Sequence, residues 1–318
     1  MKRNDLCMRT RTSLCQKMPQ EFGDQVIEFH RYVINARQKI TYELSQIANM
    51  DEVPLTFDVP SNKTVDSKGV HSVTVKTTGH EKTHYTVVLT CCADGTKLLP
   101  MVIFKRKTMP KEVIPNGVVV HVQEKGWMDE NGIKLWIDKV WSRRPGGLLR
   151  KPALLVWDQF RAHKTETVKN NLKRIKTDLA VIPGGLTCQL QPLDVCINKP
   201  FKAFMKDEWN KWMMLEDFDV TATGRRKRPT IAQVCQWVKK SWDQVKEEII
   251  IKSFKKCGIS NALDGTEDDA IFEDNLMGES DVDDPDAPNF IAGNSNEDES
   301  GNDSDASTVD YDFLGFFE

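Results

Sequence analysis

The chain has 318 residues and a formal net charge of −3 at pH 7, and its 39% hydrophobic content is ample for a folded core. Its eight cysteines form no C-x-x-C pair, which leaves zinc fingers and disulfide frameworks without support and suits a reducing compartment. No apolar run approaches a membrane span and the first residues lack a signal-peptide pattern, so we expect a soluble intracellular protein with no membrane partner.

Charge is divided unevenly along the chain. All 44 Lys and Arg residues precede residue 257, whereas 19 of the 47 acidic residues lie in 264–318, which leaves +16 on the body and −19 on the tail. A body this cationic attracts polyanions, usually nucleic acid, although the same charge could be ordinary solvated surface. The acidic tail is poor in apolar residues, and we expect it to be disordered. It could screen the body, bind a partner or be inert.

The first half of the chain changes from a helical to a strand-like period. Apolar residues at helical spacing from 21 to about 47 predict one amphipathic helix. The next runs are rich in Val, Thr and Ile, and they predict a strand followed by a meander with a tight turn at Asp94-Gly95. These predicted strand regions cover 47–55, 71–78 and 84–105.

The second half alternates helical and strand patterns. Continuous apolar runs at 152–160 and 178–183 predict strands buried on both faces. Amphipathic stretches between and after them predict helices over 129–141, 165–175, 195–215 and 230–256. This order of elements predicts a mixed α/β fold.

Three carboxylates stand out by their position in these elements. Asp51 closes the first strand-like run, Asp158 closes the most hydrophobic run, and Asp194 lies where the long helix of 195–215 begins. Carboxylates brought together repel one another unless a cation joins them, and Mg²⁺ prefers carboxylate, water and phosphate oxygens. The residue types therefore suit metal-dependent phosphoryl transfer on nucleic acid.

Each acid also has a purely structural interpretation. Asp51 could be a turn residue ahead of Pro54, Asp158 a cap for the following helix, and Asp194 a helix N-cap. The residues alone leave both interpretations open.

Three sequence blocks carry a family resemblance: NMDEVPLTFDVPSNKTVD, LLVWDQFRAHKT and LQPLDVCINKPFK, at 49–66, 154–165 and 190–202. Together they resemble the signature blocks of pogo/Tigger-type DDE transposases, the branch related to centromere protein B and jerky. The resemblance spans roughly 20–256. It implies a ribonuclease-H-like α/β fold, a mixed sheet flanked by helices, followed here by the disordered acidic tail.

The resemblance maps the catalytic acids of the family onto Asp51, Asp158 and Asp194, and it implies a two-ion site for Mg²⁺ or Mn²⁺. Asp51 and Asp158 would bridge both ions, while Asp194 would complete the site of one ion. Glu52 would point to the opposite face of its strand, which favours a structural role. His163 follows the second acid and could position substrate, but a core histidine is the alternative.

The resemblance also divides the chain into regions. It implies that 1–19 is the remnant of a helix-turn-helix DNA-binding domain, 20–45 a linking helix and 46–256 the DDE catalytic domain, followed by the tail at 264–318. Because the DNA-reading region is nearly missing, we expect a truncated gene model or a decayed or domesticated copy. The two functional hypotheses are a transposase-derived protein with an active site for DNA strand cleavage or transfer, and a catalytically silent DNA- or chromatin-binding protein.

A basic cluster, GRRKRP at 224–229, lies between two predicted helices and contains Arg225, Arg226, Lys227 and Arg228. It could be a nuclear-localisation signal, part of a DNA-facing surface or a solvated linker. We expect a nuclear protein whose main partner is DNA. Self-association and a nuclear protein partner for the acidic tail are further expectations.

Overall fold

The computed structural model describes residues 22–60, 76–159, 165–222, 224–267 and 269. His163, the region 1–19 and nearly all of the acidic tail lie outside these residues, as does most of the strand predicted at 71–78. The proposed regions of the chain therefore remain predictions.

A six-stranded mixed sheet forms the centre of the fold, with the strand order β4-β3-β2-β1-β5-β6. Three strands form an antiparallel meander, β1 with β2 and β2 with β3, and the other neighbours in the sheet are parallel. The long central strand β1 therefore joins the antiparallel and the parallel halves. The strands are β1 (Ile47–Thr56), β2 (His84–Cys92), β3 (Met101–Lys105), β4 (Val119–Gln123), β5 (Ala153–Trp157) and β6 (Thr177–Val181).

Seven α-helices flank the sheet in the part of the chain that the structure describes. Three of them begin at a side-chain cap, because Asp129, Thr165 and Thr230 each accept a hydrogen bond from a backbone N–H in the first turn. A π-helical segment, Leu193–Ile197, leads directly into α5. The helices are α1 (Phe22–Lys39), α2 (Glu130–Lys139), α3 (Glu166–Arg174), α4 (Thr187–Leu190), α5 (Asn198–Met213), α6 (Ile231–Gln244) and α7 (Glu247–Lys256).

The two faces of the sheet pack against different helices. Side chains alternate along a strand, so β1 sends Val53 and Leu55 into the core formed with α1, α5, α6 and α7. It sends Ala48 and Met50 into the opposite core, formed with α2 and α3. Asp51 lies two and four residues before Val53 and Leu55, so its side chain is on the same face of β1 as theirs. It therefore faces α5.

Two helix predictions were wrong in extent. The first helix ends at Lys39 rather than near 47, and the chain leaves the helix so that the Tyr42 hydroxyl donates to Asp178 Oδ2 at 2.6 Å. The helix predicted over 230–256 is two helices, separated at Val245, whose backbone is extended. Lys97 Nζ donates to the carbonyls of Trp242, Asp243 and Val245, which stabilises the end of α6.

None of the helices that the structure describes is long and apolar enough to cross a membrane.

Candidate active site

Asp51 lies in the middle of β1, opposite Leu89 of β2, and is only 8% exposed. A carboxylate within a central strand destabilises the folded state unless it is paired, because burial removes its hydration. Burial raises the pKa of Asp51 well above its usual value, and the nearby Asp194 and Glu52 charges raise it further. Asp51 is therefore not a turn residue, and its position requires compensating partners.

Asn49 positions the elements around Asp51. Its Nδ2 donates to the Val156 carbonyl of β5 at 2.9 Å, and its Oδ1 accepts from the Leu193 backbone N–H at 3.0 Å. The residue is fully buried, so both hydrogen bonds are shielded from water. One side chain thus joins β1 to β5 and to the start of the π-helical segment, which brings Asp194 next to Asp51.

Asn198 connects the two acids directly. Its Nδ2 donates to Asp51 Oδ2 at 2.8 Å and to Asp194 Oδ1 at 3.0 Å. Asp194 lies inside the π-helical segment, and neither this segment nor α5 has a side-chain cap at its start. The helix N-cap interpretation of Asp194 is therefore wrong.

The charges of the site are strongly coupled. Asp194 is solvent-exposed as a residue, but protein atoms around its carboxyl raise its pKa, against the hydrogen bond from Asn198 and the Lys202 charge, which lower it. Burial lowers the pKa of the Lys202 ammonium, while Asp51 and Asp194 raise it. Lys202 thus supplies positive charge beside the acid pair.

Asp158 directly follows β5 and is half-buried. The parallel register pairs Asn49 with Val156, and continuing it by two residues places Asp158 beside Asp51. Its charge is among those that raise the pKa of Asp51. Thr165, not Asp158, caps the following helix, so the capping interpretation of Asp158 is also wrong.

Asp51 and Asp194 are thus joined at the junction of β1, β5 and the lead-in to α5, and the strand register places Asp158 beside Asp51. Across the part of the chain that the structure describes, no group of three or more His, Cys, Asp or Glu side chains has a geometry that could hold a metal ion. The Asp51–Asn198–Asp194 contacts hold two acids together, and the charge of Asp158 acts on Asp51.

The donor set nevertheless fits a hard divalent cation. Its atoms are carboxylate oxygens, which Mg²⁺ and Mn²⁺ accept as ligands. Asn198 Oδ1 is a further buried oxygen, and it has no hydrogen-bond partner among the described residues. A cation would also relieve the electrostatic cost of ionising Asp51 beside Asp194.

Sequence reasoning missed Asn49, Asn198 and Lys202. A signal for two of them exists, because Asp194, Asn198 and Lys202 follow one another at intervals of four, which places them on one helix face. The sequence also contains HEKTH at 80–84, the spacing of a helical zinc motif. His80 lies before β2 and His84 begins it, so the two imidazoles do not share a helix face.

The basic cluster is divided by the fold. Arg226 is 8% exposed, stacks on Trp212 and Phe218, and donates to the carbonyls of Trp212, Met213 and Leu215. Arg225, Lys227 and Arg228 are exposed. Arg226 is therefore a structural residue, and only its neighbours remain available on the surface.

Comparison with known proteins identifies the family of the chain. Residues 82–254 match the model of the DDE superfamily endonuclease family. The chain is 36% identical over 273 residues to the human protein "Pogo transposable element with KRAB domain" and 34% identical to its mouse counterpart. Each match covers 86% of this chain and 45% of the relative, so the chain spans about half the length of these relatives.

Among solved structures, the mariner Mos1 paired-end complex with Mg is similar, with a TM-score of 0.53 at 9% sequence identity, covering 85% of this chain and 68% of that one. At this identity the likeness concerns the fold alone. Together with the strand order, it confirms the predicted ribonuclease-H-like mixed sheet flanked by helices.

Proposed function

The chain belongs to the DDE superfamily endonuclease family, among the relatives of pogo-type transposases, and from this premise we propose that it binds DNA and cleaves or joins its strands with divalent cations. The observation that carries the proposal is the Asp51–Asn198–Asp194 arrangement. It places a buried acid and an exposed acid side by side, next to the end of the strand that carries Asp158.

Each residue of the centre has a proposed role. Asp51, Asp158 and Asp194 would hold Mg²⁺ or Mn²⁺, which when bound activates a water or a 3′-hydroxyl and stabilises the leaving oxygen at a phosphodiester. Asn198 fixes the separation of Asp51 and Asp194 through its amide. Lys202 contributes a positive charge that favours an approaching phosphate.

We propose DNA as the main partner, a homo-oligomeric state and a nuclear location. The support for DNA is the cationic body of the chain together with the fold, since Mos1 has been crystallised as a transposase paired-end complex with a transposon end. A DNA-processing enzyme of a nucleated cell meets its substrate in the nucleus. Gel filtration with light scattering and imaging of a tagged full chain test the last two proposals.

Nicking of supercoiled plasmid in Mg²⁺ or Mn²⁺ tests the catalytic role. We expect nicking by the wild type and none by the separate variants Asp51→Asn, Asp158→Asn and Asp194→Asn. Asp178→Asn is the matched control, because Asp178 is an exposed carboxylate that lies opposite Leu154, at the other end of β5 from Asp158. Nicking that persists in one of the three variants would remove that residue from the centre.

The second candidate is a catalytically silent DNA- or chromatin-binding protein derived from a transposase. It is favoured by the observation that, among the residues that the structure describes, no group of three or more His, Cys, Asp or Glu side chains has a geometry that could hold a metal ion. If the wild type binds DNA but neither nicks it nor melts at a higher temperature with Mn²⁺, this second function replaces the first.

A further inference from the structure

The basic segment after α5 is folded onto the domain rather than extended. The Lys227 N–H donates to the Asp219 carbonyl at 2.9 Å, and the Thr221 N–H donates to the Arg225 carbonyl at 2.7 Å. Arg226 between them is buried under three carbonyl hydrogen bonds. A linear localisation signal must be read as an accessible extended peptide, so this segment acts as part of a folded surface.

A basic groove lies beside this segment, and we define it by Lys105, Arg106, Lys227 and Arg228. One cavity of about 340 Å³ is lined by Lys227 and Arg228 and by the first residues of α6. A smaller adjoining cavity of about 30 Å³ shares Arg228 and adds Lys105 and Arg106 from the end of β3. The groove thus brings together cations from segments more than 100 residues apart in sequence.

The groove has little negative charge to balance these cations. Among the residues that the structure describes, Arg106 and Arg228 form no salt bridge. Burial and then the nearby Arg106 charge lower the pKa of Arg228, while the Glu112 carboxylate raises it. Lys227 pairs with Asp219 at 3.5 Å, but both side chains are more than half exposed and the pair is weak. Glu112, the carboxylate in the groove, accepts a 2.8 Å hydrogen bond from the Ala232 backbone N–H.

In the described part of the chain, the floor of the groove contains no exposed aromatic ring on which a nucleic-acid base could stack. The Arg228 guanidinium lies 4.5 Å from the Phe57 ring centroid, and Phe57 beneath it is only 4% exposed. A base cannot stack on a ring that is covered in this way. The exposed groups are cationic, which suits phosphates and gives no sequence information.

We propose that the basic groove binds the phosphodiester backbone of the DNA whose reacting strand lies at the acid centre. The inference rests on the proposed function for the identity of the polyanion. Phe57, just after the end of β1, packs in the same core as Val53 and Leu55, whose side chains share a face of β1 with Asp51, so the groove and the acids lie on the same side of the sheet. Thr56, which precedes Phe57, is five residues from Asp51, or about 17 Å along an extended strand. That spacing corresponds to about five base pairs of duplex.

The test is the affinity for a 30-base-pair duplex, measured by fluorescence anisotropy at several salt concentrations in EDTA. We compare the wild-type full chain with the double variant Arg106→Gln/Arg228→Gln. The matched control is Lys134→Gln/Lys139→Gln, which removes two cations from α2, on the opposite face of the sheet. Arg226 is left unchanged because its substitution would disturb the fold.

We expect the groove variant to bind about 10- to 100-fold more weakly at 0.1 M salt, and its log–log salt slope to fall by about two, one for each lost phosphate contact. The loss should be the same for unrelated duplex sequences, and the control should match the wild type. Unchanged affinity and slope would overturn the inference. So would a loss confined to one sequence, or a loss of nuclear import with unchanged DNA binding.

The outcome is separable from that of the proposed catalytic function. Asp51→Asn should abolish nicking while leaving the salt slope of DNA binding unchanged, whereas the groove variant should alter the slope. If the wild type never nicks DNA but the groove variant still weakens binding, the catalytic proposal fails and the groove stands. If the wild type binds no duplex at any salt concentration, the groove inference is overturned.

Discussion

Asn198 Nδ2 lies 2.8 Å from Asp51 Oδ2, although the two residues are 147 positions apart in the chain. The same nitrogen reaches Asp194 Oδ1 at 3.0 Å, so a neutral amide connects a buried acid on a strand with an exposed acid on a helical segment. A buried carboxylate without donors costs several kcal/mol of folding free energy. The arrangement of the acids therefore depends on a residue that is not itself acidic.

Replacing Asn198 with Leu, whose side chain is also branched at Cγ but apolar, removes both hydrogen bonds from the acid pair. We expect the free energy of unfolding at pH 7 to fall by about 2–3 kcal/mol, because Asp51 is left buried without this donor. Urea unfolding followed by circular dichroism measures the change. Asn198→Asp tests the same point by adding a third negative charge, and it should cost more than Leu in the absence of metal. A loss below about 0.5 kcal/mol for both variants would contradict the assigned role of Asn198.

Replacing Asp51 with Asn should stabilise the metal-free protein. The folded-state pKa of Asp51 is raised, mainly by burial, so the wild type loses stability as pH rises above the unfolded-state value of about 4. We expect the free energy of unfolding of Asp51→Asn to exceed that of the wild type by about 1–2 kcal/mol at pH 7. Below about pH 4 the two proteins should be equally stable. Unfolding curves in EDTA at both pH values measure this gain.

Divalent cations should reverse the order of stability of these two proteins. Mn²⁺ should raise the melting temperature of the wild type and not that of Asp51→Asn, because binding to the native state alone stabilises it. Equal shifts in the two proteins would show that the cation binds elsewhere.

Replacing Asn49 with Ala should disturb the site without touching an acid. The substitution removes two buried hydrogen bonds and leaves the Val156 carbonyl and the Leu193 N–H unsatisfied. We therefore expect the free energy of unfolding to fall by about 2–4 kcal/mol. Chemical denaturation measures it, with the half-buried Asn171→Ala on α3 as the control. A cost no larger than that of the control would mean that Asn49 does not hold the lead-in to α5.

Glu208 joins α5 to α6, and its contribution should depend on pH. Burial raises its pKa, but hydrogen bonds from Lys240 at 2.8 Å and Lys211 at 3.0 Å outweigh this and hold the pKa below its usual value. Such a carboxylate stabilises the fold above its unfolded-state pKa and loses this effect as pH falls through the folded-state value.

We therefore expect Glu208→Gln to cost about 1 kcal/mol at pH 7, since both lysines are largely exposed, and much less below pH 3. Thermal melts across this range provide the measurement. Glu166→Gln, which breaks an exposed pair with Lys169, is the control and should cost little at any pH. A cost for Glu208→Gln that does not change with pH would point to packing instead of charge.

The central strands could be predicted because burial on both faces leaves a continuous apolar run, as at β5. The strand β4, with the sequence VVHVQ, was not assigned, since it is a half-buried edge strand with a histidine at its centre. The break between α6 and α7 was also missed. It depends on Lys97, a residue almost 150 positions earlier, and no local pattern contains that information.

The acids of the site could be selected from the sequence because of the family blocks, and Asp158 also because it closes an apolar run. The prediction that Asp51 closes its run was wrong, since β1 continues to Thr56. Their mutual arrangement could not be derived, because it is set by tertiary contacts. Asn49 and Asn198 resemble any other polar residue until β1, β5 and α5 are packed together. The basic cluster shows the same limit, since Arg226 and Arg228 are two positions apart and one is buried while the other is exposed.

The long sequence separation between Asp51 and Asn198 has a consequence for the protein while it is being made. At synthesis rates of roughly 5–20 residues per second, the ribosome needs on the order of 10–30 s to proceed from the first residue to the second. During that interval the emerging chain can form the β1–β2 hairpin, but it lacks both α5 and Asp194. A nascent chain, or one released early, therefore lacks the Asn198 amide that connects Asp51 with Asp194.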